Sequence, residues 1–121
     1  MKTKMVLVDT SVWVSHLRHG AIGLETLLNE GLVVCHPFIA GELACGNLLN
    51  RSEILVHLTA LPQAIMVQHE EVMHFIEKHS LMGKGLGYID IHLLASALLT
   101  RVSLWTLDQK LHEATVNLGM A

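Results

Sequence analysis

At 121 residues the chain is long enough to bury one real core and too short for two domains. Its formal charge of −3 excludes a global basic field for nucleic acid, so a polyanion would have to be met by a local patch. Hydrophobic residues at 51% against charged ones at 16% point to a generous core or to surface reserved for partners.

No stretch is fit to span a bilayer: the longest uncharged segment, Ile54 to His69, is interrupted by Pro62 and carries His57, Gln63 and Gln68. The apolar run after Met1-Lys2-Thr3-Lys4 stops at Asp9, before signal-peptide length is reached. A cytoplasmic protein is therefore expected. Cys35 and Cys45 have neither metal-site nor CxxC spacing and read as reduced core residues.

Met5-Val6-Leu7-Val8 is too short for a helix and rich in Val, which predicts a buried strand ending on Asp9. Val12 to Arg18 suits a helix, Gly20 and Gly23 bracket a break, and Leu24, Leu27 and Leu28 restart a helix that ends near Gly31. Leu32 to Cys35 is a second buried strand. Pro37 suits the first turn of the next helix, which carries Glu42 among Phe38, Ile39, Leu43 and Leu48. A further helix opens at Ser52 and Glu53 and is limited by Pro62. Ala64 to Val67 is expected as a short third strand, followed by a helix from about His69 to His79. Gly83-Lys84-Gly85-Leu86-Gly87 reads as a mobile loop, and Tyr88-Ile89-Asp90 enters a strongly apolar helix. Ser103 to Leu107 is the last strand, ended by Asp108 as the first is by Asp9, and a helix from Gln109 to Leu118 closes the pattern. Short strands alternating with helices imply a parallel sheet covered on both faces.

Four carboxylates stand alone in apolar company. Glu42 is the sole formal charge between Gly31 and Asn50, Asp90 between Gly85 and Thr100, and Asp108 between Val102 and Gln109; Asp9 ends the first apolar run. Isolated carboxylates are costly to bury, so each should be exposed, paired, or one of several sharing a cation. Singly, Asp9 and Asp108 suit helix N-caps, Asp90 complements a helix dipole, and Glu42 suits a wet helix edge. Together, at strand ends and on helices starting from the same side, they can meet, and oxygen-rich clusters suit hard cations such as Mg²⁺ or Mn²⁺. Thr10, Ser11 and Thr106 are candidates to orient the ligands or a water beside them.

Val8-Asp9-Thr10-Ser11-Val12-Trp13, Glu42-Leu43, the run from Gly87 through Asp90 to Ala97, and Leu104-Trp105-Thr106-Leu107-Asp108-Gln109-Lys110-Leu111 resemble the acidic motifs of PIN-domain ribonucleases, more narrowly of the VapC toxins of bacterial toxin–antitoxin pairs. The resemblance covers nearly the whole chain in order. It implies one PIN-like domain over 1–121, an α/β fold built as a three-layer α/β/α sandwich with a central parallel sheet. It also implies a metal-dependent endoribonuclease, commonly a homodimer, neutralised by a small cognate antitoxin protein. By position, Asp9, Glu42, Asp90 and Asp108 would form the catalytic pocket, with Asp9, Asp90 and Asp108 holding Mg²⁺ (or Mn²⁺), Thr10, Ser11 and Thr106 in support, and Tyr88 at the groove.

Competing readings are separable. A catalytically silent PIN-like module would use the acidic pocket to dock a partner protein, keeping metal binding without cleavage. An aspartyl-phosphate hydrolase built on Asp9 would want a second Asp where Ser11 stands. His69-Glu70-Glu71-Val72-Met73-His74 resembles a zinc-protease helix, but its second His comes one place too late to share a face with the first. The scattered Arg18, Arg51, Lys78, Lys84, Arg101 and Lys110 form a basic patch only if the fold gathers them.

Overall fold

The computed structural model describes residues 4–20 and 23–121; the start of the leading charged stretch and residues 21 and 22, inside the Gly20–Gly23 break, lie outside them. Three short parallel strands, β1 (Val6–Val8), β2 (Val33–Val34) and β3 (Ser103–Trp105), form a sheet of order β2-β1-β3. Val6 and Leu7 pair with Val33 and Val34 on one side of β1, and Val6, Leu7 and Val8 with Ser103, Leu104 and Trp105 on the other. Neighbours along a strand point to opposite faces, and Leu7, Val8, Val33 and Val34 are all buried. The sheet is therefore covered on both sides, as the Val-rich runs predict.

Around it lie α1 (Thr10–His19), α2 (Leu24–Asn29), α3 (Pro37–Ala44), α4 (Arg51–Ala60), α5 (His69–Lys78), α6 (Tyr88–Thr100) and α7 (Gln109–Asn117). Every residue of α6 from Ile91 to Ala97 is buried, which accounts for a sequence that is apolar all round rather than amphipathic. Asp90 is the one charged side chain on this helix, at its mouth.

Two expectations are corrected. Ala64–Val67 is not a strand: only the bridge between Cys35 and Gln63 forms, through Cys35 N–H to Pro62 O and Ala64 N–H to Cys35 O, both 2.8 Å. Cys35 leads at once into His36 and α3, so no further ladder faces this segment; the Ile65 N–H instead meets the Thr100 hydroxyl at 3.0 Å. Cys45 is not a core residue. Both cysteines are free, but only Cys35 is buried; Cys45 follows the last residue of α3 and is exposed.

The start of α3 is fixed by a histidine that sequence patterning does not reveal. His36 is fully buried; its Nδ1 accepts the Phe38 N–H at 3.0 Å as an N-cap, which leaves Nε2 to carry the proton toward the Ser96 hydroxyl on α6, also at 3.0 Å. Burial, reinforced by nearby His92, lowers the His36 pKa from 6.5 to about 4. A depressed histidine adds stability above its unfolded pKa and loses it as pH falls toward the folded value, because the unfolded chain then binds the extra proton. The stabilisation at stake is on the order of 3 kcal/mol. His92 is shifted in the same direction by its own burial. Urea unfolding should therefore give a midpoint that falls from pH 6.5 to pH 4, and His36→Asn, which keeps an N-cap acceptor, should make that slope about one proton shallower; an unchanged slope would show that His36 is not held neutral.

Candidate active site

The strand order places a crevice where α/β sheets bind ligands. From β1 the chain crosses to β2 on one side and later reaches β3 on the other, so the crossovers diverge at the carboxyl ends of β1 and β3. Asp9 follows β1 there, and Thr106, Leu107 and Asp108 follow β3. The pairing continues to the edge of the crevice, with the Asp9 N–H donating to Trp105 O at 2.9 Å.

Asp9 occupies the N-cap position of α1, yet its carboxylate caps nothing. It is only 7% exposed, and its Oδ2 accepts from two hydroxyls, Thr106 at 2.7 Å and Ser11 at 2.8 Å. Each hydroxyl is pinned in turn: Ser11 Oγ accepts the Leu107 N–H at 3.0 Å, and Thr106 Oγ1 accepts the Asp108 N–H at 3.1 Å. With both hydroxyl protons directed at Asp9, the 3.3 Å approach of Ser11 to Thr106 is a contact of two acceptors. Thr10, the third hydroxyl candidate, turns away and donates to Glu42 Oε1 at 2.7 Å.

Asp90 and Asp108 each spend one oxygen on a helix start. Asp108 Oδ1 caps α7 by accepting the Leu111 N–H at 2.9 Å, and Asp90 Oδ2 accepts the Gly87 N–H at 3.1 Å, the reaching-back half of a capping box. The Asp90 carboxyl is nevertheless pushed above its ordinary pKa, first by burial and then by the negative charges of Asp9 and Asp108, against the opposing Gly87 bond. The structure thus brings Asp9, Asp90 and Asp108 within electrostatic reach of one another. Glu42, exposed on α3, accepts a hydrogen bond from Thr10, the neighbour of Asp9, and shares a cavity of about 430 Å³ with Arg18.

A hard cation suits this donor set. Among the described residues the one ion pair within 4.0 Å is His57 with Glu53, far along α4, so no basic side chain neutralises the three aspartates. Among the described residues each aspartate also keeps an oxygen free of hydrogen bonds: Oδ1 of Asp9 and of Asp90, and Oδ2 of Asp108. No three His, Cys, Asp or Glu side chains among the described residues are close enough to enclose an ion as they lie. The carboxylates meet at the crevice without forming a closed cage.

The neighbouring aromatic cluster serves another side of α6. Tyr88 is 41% exposed, with its hydroxyl 2.6 Å from His69 Nδ1 and 3.1 Å from His92 Nε2. Two positions before Asp90, it projects about 200° around the helix from it. His69 is thereby engaged with Tyr88, while His74 lines a separate cavity beside Glu71 and Lys78, so the two ends of the zinc-protease-like run serve different surroundings. The spacing of the four acids is legible in sequence, but the clamp on Asp9 is not, because it joins residues 97 positions apart.

No family model matches the chain. Ribonuclease VapC32 of Mycobacterium tuberculosis, from strain CDC 1551 / Oshkosh and from strain ATCC 25618 / H37Rv, is 42% identical over 118 residues, covering 97% of this chain and 95% of the relative. The similarity extends over nearly the whole of both chains. The chain belongs to the VapC-like PIN-domain ribonucleases.

Proposed function

We propose that the chain is a metal-dependent endoribonuclease, the toxin of a toxin–antitoxin pair, and that it hydrolyses RNA phosphodiester bonds at Asp9, Asp90, Asp108 and Glu42. The observation that carries this reading is the gathering of three aspartates without a basic partner among the described residues at the ends of β1 and β3 and the start of α6, where burial first and the charges of Asp9 and Asp108 after it push the Asp90 carboxyl up. A fold under selection for stability alone has no use for such a cluster, whereas a cation site requires it. Mg²⁺, with Mn²⁺ as an alternative, would supply activation of a water and neutralisation of charge on the phosphodiester.

The chain's own residues have separable parts. Ser11 and Thr106 hold one oxygen of Asp9 and leave the other toward the crevice. The Gly87 N–H does the same for Asp90, and the Leu111 N–H for Asp108, so Asp9, Asp90 and Asp108 are the metal-holding set. Glu42, held by Thr10 at the rim, is placed to orient substrate or a water rather than to complete that set. The full reading is a single domain over 1–121, working in the cytoplasm as a homodimer and silenced by a small cognate antitoxin. No helix among the described residues is long and apolar enough to cross a membrane.

Cleavage of structured and unstructured RNAs by purified, partner-free protein tests the reading. Activity should require Mg²⁺ or Mn²⁺, vanish in excess chelator, and fall by more than about 100-fold in Asp9→Asn and in Asp90→Asn, beyond the usual cost of altering a residue behind the metal ligands. Metal-dependent cleavage that survives both substitutions would contradict it, and metal binding without any cleavage would favour the docking module. Stability gives a second readout. Asn at position 90 can still accept the Gly87 N–H and removes one repelling charge, so metal-free Asp90→Asn should unfold at a urea concentration equal to or above that of the wild type at pH 7. A clear loss of stability would mark Asp90 as a structural cap instead.

A further inference from the structure

The acidic pocket leaves open how a chain of charge −3 holds a polyanion. Its basic residues are committed to different degrees. Arg51 spends its guanidinium on Ala44 O, at 2.8 and 3.0 Å. Arg18 shares its cavity with Glu42, and Lys78 and Arg101 share theirs with Glu70 and Glu71. Lys84 and Lys110 together line a cavity of about 440 Å³ whose one carboxylate is Glu113, with His79 and Asn117 as its other polar residues. Neither lysine forms an ion pair within 4.0 Å among the described residues.

Lys110 also lies close against a glycine. Gly85 has φ +76°, and a Cβ built on it would lie 2.6 Å from both Cδ and Nζ of Lys110 and 3.1 Å from its Cε. The lysine stem therefore runs across the loop at the one place where the absence of a side chain admits it. That loop leads through Gly87 into α6 and Asp90, while Lys110 itself lies two residues after Asp108. A cation with no ion pair among the described residues thus reaches from the first turn of α7, just after Asp108, over the loop that leads into α6 and Asp90.

We propose that Lys110, supported by Lys84 and passing over Gly85, binds a phosphate of the RNA backbone flanking the bond that is cut. The inference rests on the ribonuclease reading and supplies the local basic patch that the net charge denies. A lysine serves as a point charge here, gripping a phosphate without reading sequence. RNA would then run from the acidic crevice into the Lys84–Lys110 cavity, with the glycine loop as its floor.

The test is binding of a fluorescent single-stranded RNA to the partner-free Asp9→Asn protein in Mg²⁺, followed by anisotropy over a range of salt concentrations. Lys110→Gln should weaken binding several-fold and lower the slope of log affinity against log salt by about 0.7, the share of one phosphate contact on a single strand. Gly85→Asn, which keeps the left-handed backbone and only displaces the flexible end of Lys110, should weaken binding less than Lys110→Gln and leave the slope near that of the parent. Lys78→Gln, in the other cavity, should leave the slope unchanged. In the otherwise wild-type chain, Lys110→Gln should raise KM more than it lowers kcat. An unaltered slope in Lys110→Gln, or an equal loss in Lys78→Gln, overturns this inference alone. Absence of RNA binding by the parent protein overturns the ribonuclease reading and this inference with it.

Discussion

Asp9 is a carboxylate in the interior of the protein with no basic partner, and the manner in which it is held organises the crevice around it. Two hydroxyls donate to one of its oxygens, and each hydroxyl is fixed by a backbone N–H of the turn that follows β3. Hydrogen bonds of this kind meet the need of a buried polar group without cancelling its charge. The arrangement depends on β1 and β3 being neighbours, which follows from the order β2-β1-β3.

The same economy extends to the other two aspartates. Each binds a helix start with one oxygen and keeps the other free, so the residues that build the crevice also terminate its helices. α6 makes this consequential. It is buried along seven successive residues, which excludes water from the base of the crevice and raises the cost of ionising Asp90. The fold thus keeps a charge cluster that opposes its own stability, a balance expected where function and stability compete for the same residues. The lysine over Gly85 lies outside this cluster, against the loop that leads into α6, and has no ion pair among the described residues.

Much of this is visible in the order of residues. Val6 to Val8, Val33 to Val34 and Ser103 to Trp105 are short apolar runs that end abruptly, and a parallel sheet follows from their alternation with helices. The four acids stand out because each is alone among apolar neighbours. What sequence does not carry is pairing at long range. Ala64 to Val67 has strand composition, yet β2 ends before it can offer a ladder. Thr10, Ser11 and Thr106 are equal candidates by type, and only the fold sends two to Asp9 and one to Glu42. Asp9 and Asp108 occupy the same helix position, but only Asp108 caps. The meeting of Lys110 with Gly85 joins the first turn of α7 to a loop 25 positions earlier, which no local pattern connects.

The central claim is that Asp9, Asp90 and Asp108 are kept unneutralised in order to receive a cation, and calorimetric titration of Mn²⁺ into the metal-free, partner-free protein tests it most directly. The account predicts saturable binding that is abolished or weakened at least tenfold in each of Asp9→Asn, Asp90→Asn and Asp108→Asn, with all three variants folded. Binding of equal affinity in the wild type and all three variants, or none in the wild type, would contradict it.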